Sequence, residues 1–146
     1  MGHGATDFDA VVEQTNHALV AFVQGDPSGM KSLFSRGDDV VLANPLGPPA
    51  RGRSGVEAAT DRAVASIRDG TCEFEEMARH ATSEMGYVFH IERVTAKVGE
   101  SDELSRITLR VTMIYRREDG GWKIVLRQAD PIMTPRPIES IIEKSR

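Results

Sequence analysis

Three polar side chains are placed to do chemistry: Asn44, Gln128 and Asp130. Each falls where an apolar stretch ends. Asn44 closes the run 40–43 before Pro45, and Gln128 and Asp130 continue the alternation begun by Ile124 and Leu126. Asp130 is the one carboxylate of the set. Against an apolar pocket its pKa would rise, and it could then serve as a catalytic acid or base. The competing reading is structural: a carboxylate just before Pro131 that caps the strand end or pairs with Arg127 or Arg136. Asn44 and Gln128 are either ligand-binding amides or satisfied buried ones.

Other chemistry is excluded on physical grounds. Gly47-Pro48-Pro49-Ala50-Arg51-Gly52-Arg53-Ser54 has the spacing of a phosphate-binding loop, with Arg in place of Lys. Such a loop works by aiming successive backbone N–H groups at phosphate oxygens. Pro48 and Pro49 have none to offer, so the segment reads as a stiff loop between a strand and a helix. His3, His17, His80 and His90 lack metal-ligand spacing, and Cys72 has no cysteine partner. Neither a metal nor a cofactor is expected.

The elements that must position the three candidates follow from periodicity. Thr6-Asp7-Phe8-Asp9 reads as a capping box, and Phe8, Val11, Val12, Leu19, Phe22 and Val23 recur at helical spacing until Gly25. Asp26-Pro27 starts a short helix with Met30, Leu33 and Phe34 inward. Ser54-Gly55-Val56-Glu57 opens a third helix to about residue 68, closed by Asp69-Gly70. The period then changes to 2, predicting strands over 72–80, 87–98, 104–117 and 122–130, the last two joined by an Asp119-Gly120 hairpin. With a strand at 40–43, this is an α+β domain with helices on one face of a bent antiparallel sheet. One domain over 1–131 is expected, then a proline-rich tail over 132–146 with a short helix.

Register is estimated from the turns. Pairing Val98 with Leu104 sets Ile91 opposite Val111 and Glu92 opposite Arg110. A two-residue turn at Asp119-Gly120 sets Val111 opposite Gln128. Alternation then gathers Phe89, Ile91, Val111, Met113, Tyr115, Ile124 and Leu126 on one face, with Gln128 and Asp130 at its end. Phe22 and Phe34 would meet that face from the helices. The other face carries His90, Glu92, Arg110, Lys123 and Arg127, with Glu92 and Arg110 as a structural or interfacial ion pair.

The chain has 146 residues, 40% hydrophobic and 27% charged, enough for one soluble core. Its 18 basic and 22 acidic side chains give a net charge of −4, which argues against nucleic acid. No apolar run reaches the ~18 residues of a membrane span. No signal-peptide pattern is read at the start, and the single cysteine suits a reducing compartment. A cytoplasmic protein without membrane contact is expected.

Several segments together resemble a known family. They are Gly25-Asp26-Pro27-Ser28-Gly29-Met30-Lys31-Ser32-Leu33-Phe34, Asp38-Asp39, Asn44-Pro45-Leu46-Gly47, Arg53-Ser54-Gly55, and the ending Tyr115-Arg116-Arg117-Glu118-Asp119-Gly120-Gly121-Trp122-Lys123-Ile124-Val125. In order and spacing they resemble the SnoaL-like branch of the nuclear transport factor 2-like superfamily. The resemblance implies a cone, with helices closing over a curved sheet around an apolar pocket, and homodimers packed through the outer sheet face. It also implies that the general base of ketosteroid isomerases falls on Asn44, and their two oxyanion donors on Ala18 and Met113. An amide takes up no proton near neutral pH, so the familiar isomerisation is not expected. The expected partner is a small apolar molecule bound among Asn44, Gln128, Asp130, Phe22, Phe34, Phe89, Ile91, Val111, Met113 and Leu126, with Asp130 as the catalytic candidate. An isomerase, dehydratase, hydrolase or cyclase would fit. The alternative is a non-catalytic dimeric binding or association module.

Overall fold

A computed structural model describes residues 3–143, with side chains from Asp7 onward. Helix α1 spans His3–Val23, α2 Ser28–Leu33 and α3 Gly52–Val64. The strands are β1 Val41–Ala43, β2 Ala50–Arg51, β3 Ile67–Ala81, β4 Met85–Val98, β5 Leu104–Glu118 and β6 Gly121–Asp130. They form one sheet in the order β2-β1-β6-β5-β4-β3, with β1 parallel to β6 and the other neighbours antiparallel. The expected α+β class is the observed one.

Local differences have local causes. Helix α1 already runs at His3, so Thr6 lies inside it and not at its cap. It stops where expected, because Gly25 adopts φ +108°, a conformation that L side chains avoid. Asp26 Oδ1 accepts the Ser28 N–H at 3.0 Å and starts α2. Helix α3 ends at Val64, short of residue 68, and Asp69-Gly70 forms a bulge inside β3 instead of a helix stop. Ala50 and Arg51, read as loop, pair with β1. Among its described residues the tail makes one 3-10 turn, Ile138–Ile141, with no buried residue in it.

The interior is built on α1. The Phe8 ring stands edge-on to Tyr115 and Trp122, each centroid 5.2 Å away. Tyr115 is sealed and donates its hydroxyl to Thr15 Oγ1 at 2.8 Å. Val12, Val40, Val56, Val88, Val111, Met113 and Ile124 complete one continuous core between helices and sheet.

Register is where sequence and structure part. Leu104 pairs with Lys97, one residue short of the expected Val98. Ile91 therefore faces Arg110, Glu92 faces Leu109, and the two faces of β4 exchange. The β5–β6 hairpin begins as expected, with Glu118 opposite Gly121 and Tyr115 opposite Ile124. A bulge then inserts Val125, so that Leu126 faces Ile114 and Ala129 faces Val111. Every later side chain of β6 changes face. Phe89, Ile91, Leu126, Gln128 and Asp130, expected on the helix-facing side, lie on the outer side. His90, Glu92 and Arg127, expected outside, lie inside.

Candidate functional site

Between the helices and the inner sheet face lies a cavity of about 320 Å³. Leu19, Phe22, Phe34, Val94, Ile107 and Leu109 form its apolar wall. Asn44, Pro45 and the exposed Leu46 border it at the end of β1. Helix α3 contributes Thr60 and Ala63. Thr60 returns its hydroxyl to the Val56 carbonyl at 2.7 Å and so is engaged within its own helix.

The charged groups on the lining are Glu92 and Arg127. Arg127 reaches from β6 and Glu92 from β4, and they meet across β5. Arg127 Nη1 donates to Glu92 Oε2 at 2.8 Å, and Nη2 to Oε1 at 2.9 Å. His90 Nε2 lies 2.8 Å from Glu92 Oε2. An ionised carboxylate only accepts, so this nitrogen carries the proton. The His90 ring packs edge-on against Phe74, centroids 5.3 Å apart. The His90 and Glu92 side chains are 2% and 3% exposed.

Burial by itself would raise the Glu92 carboxyl; the Arg127 charge and hydrogen bonds, with that of His90, outweigh it and bring it down to about 2. Burial likewise disfavours charge on Arg127, but Glu92 keeps it firmly protonated. Cys72, also on the lining, is pushed up to about 12 by burial and the nearby Glu92 charge. At neutral pH the lining thus holds a neutral thiol and a closed ion pair.

The predicted site residues divide. Asn44, Phe22 and Phe34 border the cavity. Asn44 Oδ1 accepts the Leu46 N–H at 3.0 Å, which holds the turn and leaves the amide NH2 as its free end. Val111 and Met113 face inward but are sealed in the core, not on the lining. Phe89, Ile91, Leu126, Gln128 and Asp130 are on the far side of the sheet. There Asp130 Oδ1 accepts from Arg110 Nε at 2.6 Å and from the Ile132 N–H at 2.9 Å. Partial burial opposes ionisation, yet the Arg110 bond, the Ile132 N–H and Gln128 hold the carboxyl below its ordinary value. The expected rise does not occur, because Asp130 meets an arginine and not an apolar pocket. The partner of Asp130 is Arg110, not the expected Arg127 or Arg136, and its carboxylate also accepts the Ile132 N–H beyond the strand end. The expected Glu92–Arg110 pair is absent for the same reason: each finds its partner on its own face.

Sequence reasoning missed Glu92 and Arg127 on the cavity lining, and His90 behind Glu92. One signal pointed to Arg127. Ile124-Val125-Leu126 is an unbroken apolar triplet in an otherwise alternating strand, the break in period that an inserted residue produces.

This arrangement, a helical lid over a curved sheet with a cavity between, defines a family. The chain belongs to the SnoaL-like domain family, whose model matches residues 12–131. Solved structures of the same fold are similar to it. A nuclear transport factor 2-like superfamily protein from Salmonella enterica is 19% identical with a TM-score of 0.79, covering 92% of this chain and 97% of its own. A ketosteroid isomerase-like protein from Erwinia carotovora is 16% identical with a TM-score of 0.70, covering 90% and 97%. A dehydratase-like protein of the same superfamily from Streptomyces avermitilis is 21% identical with a TM-score of 0.69, covering 89% and 99%. A comparison with curated proteins finds no match. At these identities the likeness is one of fold.

Proposed function

We propose that the chain binds a small, largely apolar molecule in the cavity, and that its lining serves binding and not proton transfer. The observation that carries this reading is the lining itself: apolar walls around about 320 Å³, with Glu92 and Arg127 neutralising one another. Cavities of this kind take most of their affinity from the walls, while a few polar groups orient the ligand. Proton transfer needs a group whose pKa lies near the working pH. Asn44 is an amide, Cys72 stays protonated, and Glu92 is far too weak a base. The isomerase-like and dehydratase-like names belong to relatives. Titration with indane, read by protein-observed NMR, tests the proposal. Saturable shifts are expected at Leu109 and Ala129, and Leu109→Trp, which fills the cavity, should abolish them without loss of fold. Unchanged indane binding by that variant would defeat the proposal.

A second reading, a homodimer joined through the outer sheet face, is favoured by the side chains there. Phe89, Ile114 and Leu126 stand on that face, and Ile91 is buried on it while belonging to neither apolar cluster. Sedimentation should give twice 16.0 kDa for the native chain and 16.0 kDa for Leu126→Asp. A native monomer at micromolar concentration would remove this reading and leave the cavity reading intact.

A further inference from the structure

We infer that Arg127 is the polar anchor of the cavity and that its Nε–Nη2 edge receives a neutral carbonyl oxygen of the bound molecule, with Glu92 and His90 as positioning residues. This rests on the binding reading above. A guanidinium is a planar fork with five N–H donors. Glu92 occupies the end-on edge, Nη1 and Nη2, and the second Nη1–H points to Met113 Sδ at 3.7 Å. Two donors are left, Nε–H and the Nη2–H parallel to it, and neither has a protein acceptor among the described residues. The polar side-chain atoms sealed without a partner in that part of the chain are Asn16 Oδ1 and Trp122 Nε1. Arg127 Nε is unpartnered without being sealed, and the space that Arg127 borders is the cavity.

Two parallel donors beside an apolar space select a ligand. A hydrocarbon filling the cavity would strip water from both and return nothing. A carbonyl oxygen has two lone pairs and matches both donors. Charge decides between a carbonyl and a carboxylate. Glu92 already neutralises Arg127, and among the described residues no other charged side chain lines the cavity. A carboxylate would add an uncompensated charge where burial is costly. The ion pair needs such a purpose, because apolar residues of like volume generally stabilise a core as well as a buried pair does. His90 fixes the carboxylate, the carboxylate fixes the guanidinium plane, and the free edge is held in one direction.

The test uses three probes on one skeleton: indane, indanone and indane carboxylate, titrated by calorimetry against the whole chain. The native protein should bind indanone about tenfold more tightly than indane, the worth of roughly one net hydrogen bond. Glu92→Gln/Arg127→Met removes both charges at once. It should bring the indanone-to-indane affinity ratio near one. Glu92→Gln alone leaves the guanidinium unneutralised, and should bind indane carboxylate at least about tenfold better than the native chain does. That shift in preference would not follow if Glu92 only supported the fold. Equal binding of indane and indanone by the native chain overturns the anchor and spares the cavity reading. So does an indanone preference that survives in the double variant. Indane carboxylate binding most tightly to the native chain overturns the neutral-oxygen assignment. If the native chain binds none of the three at millimolar concentration, the cavity reading fails as well.

Discussion

Two arginine–carboxylate pairs sit back to back on one sheet. On the inner face Arg127 holds Glu92, the side chains 11% and 3% exposed. On the outer face Arg110 holds Asp130, the side chains 47% and 24% exposed. The outer contact is the shorter, 2.6 Å against 2.8 Å. Distance is nevertheless a poor guide to worth. Water screens the outer pair, and either partner can be rehydrated if the other is lost. The inner pair is far less hydrated, Glu92 above all, so its carboxylate depends on Arg127 for its charge.

The comparison is sharpest when one partner is removed. Arg127→Met should cost about 3–5 kcal/mol in chemical denaturation, because it strands the Glu92 carboxylate. Adding Glu92→Gln should recover most of that loss, leaving the double variant within about 1–2 kcal/mol of the native chain. Additive losses across the cycle would mean that the two side chains do not share one buried environment.

Acid should separate the pairs next. The folded chain holds Glu92 ionised down to about 2, whereas its ordinary value is 4.5. Below 4.5 the unfolded chain takes up a proton that the folded chain refuses. The stabilisation is therefore complete above about pH 4.5 and is lost as pH falls towards 2. Denaturation midpoints followed across that range should fall more steeply for the native chain than for Glu92→Gln/Arg127→Met. Parallel curves would place the acid sensitivity elsewhere, Asp130 included, since its carboxyl is lowered too and titrates with the same sign.

The fold could be read from the sequence, and half of the site could not. Gly25, the Asp119-Gly120 hairpin and the change of period after α3 are local signals, and the chain obeys them because each is decided within a few residues. Which face a strand presents is not local. One residue at the 99–103 turn reverses it for the whole of β4, and one bulge at Val125 reverses it for Leu126 to Asp130. Both faces of β4 have apolar members, Val88, Val94 and Ala96 on one and Phe89 and Ile91 on the other. Hydrophobicity alone therefore had little to choose by. Charge then misled, since Glu92 and Arg127 looked like surface residues until paired with one another. Asn44, Phe22 and Phe34 border the cavity whatever that register is, because a strand end and two helix stripes do not depend on it.

The smallest expected effect tests the bulge from the other side. Asp130→Asn removes the charge that Arg110 holds but keeps an oxygen able to accept the Ile132 N–H. The pair is partly solvated, so the change should lower stability by about 1 kcal/mol or less. The loss should shrink in 1 M salt, where the Debye length is about 3 Å. Indane affinity should not move, since Asp130 and the cavity lie on opposite faces of β6. An affinity change of several-fold with unchanged stability would return Asp130 to the inner face. It would then be Arg127 that pointed outward, for one strand cannot present both residues to the same side without a second bulge between them.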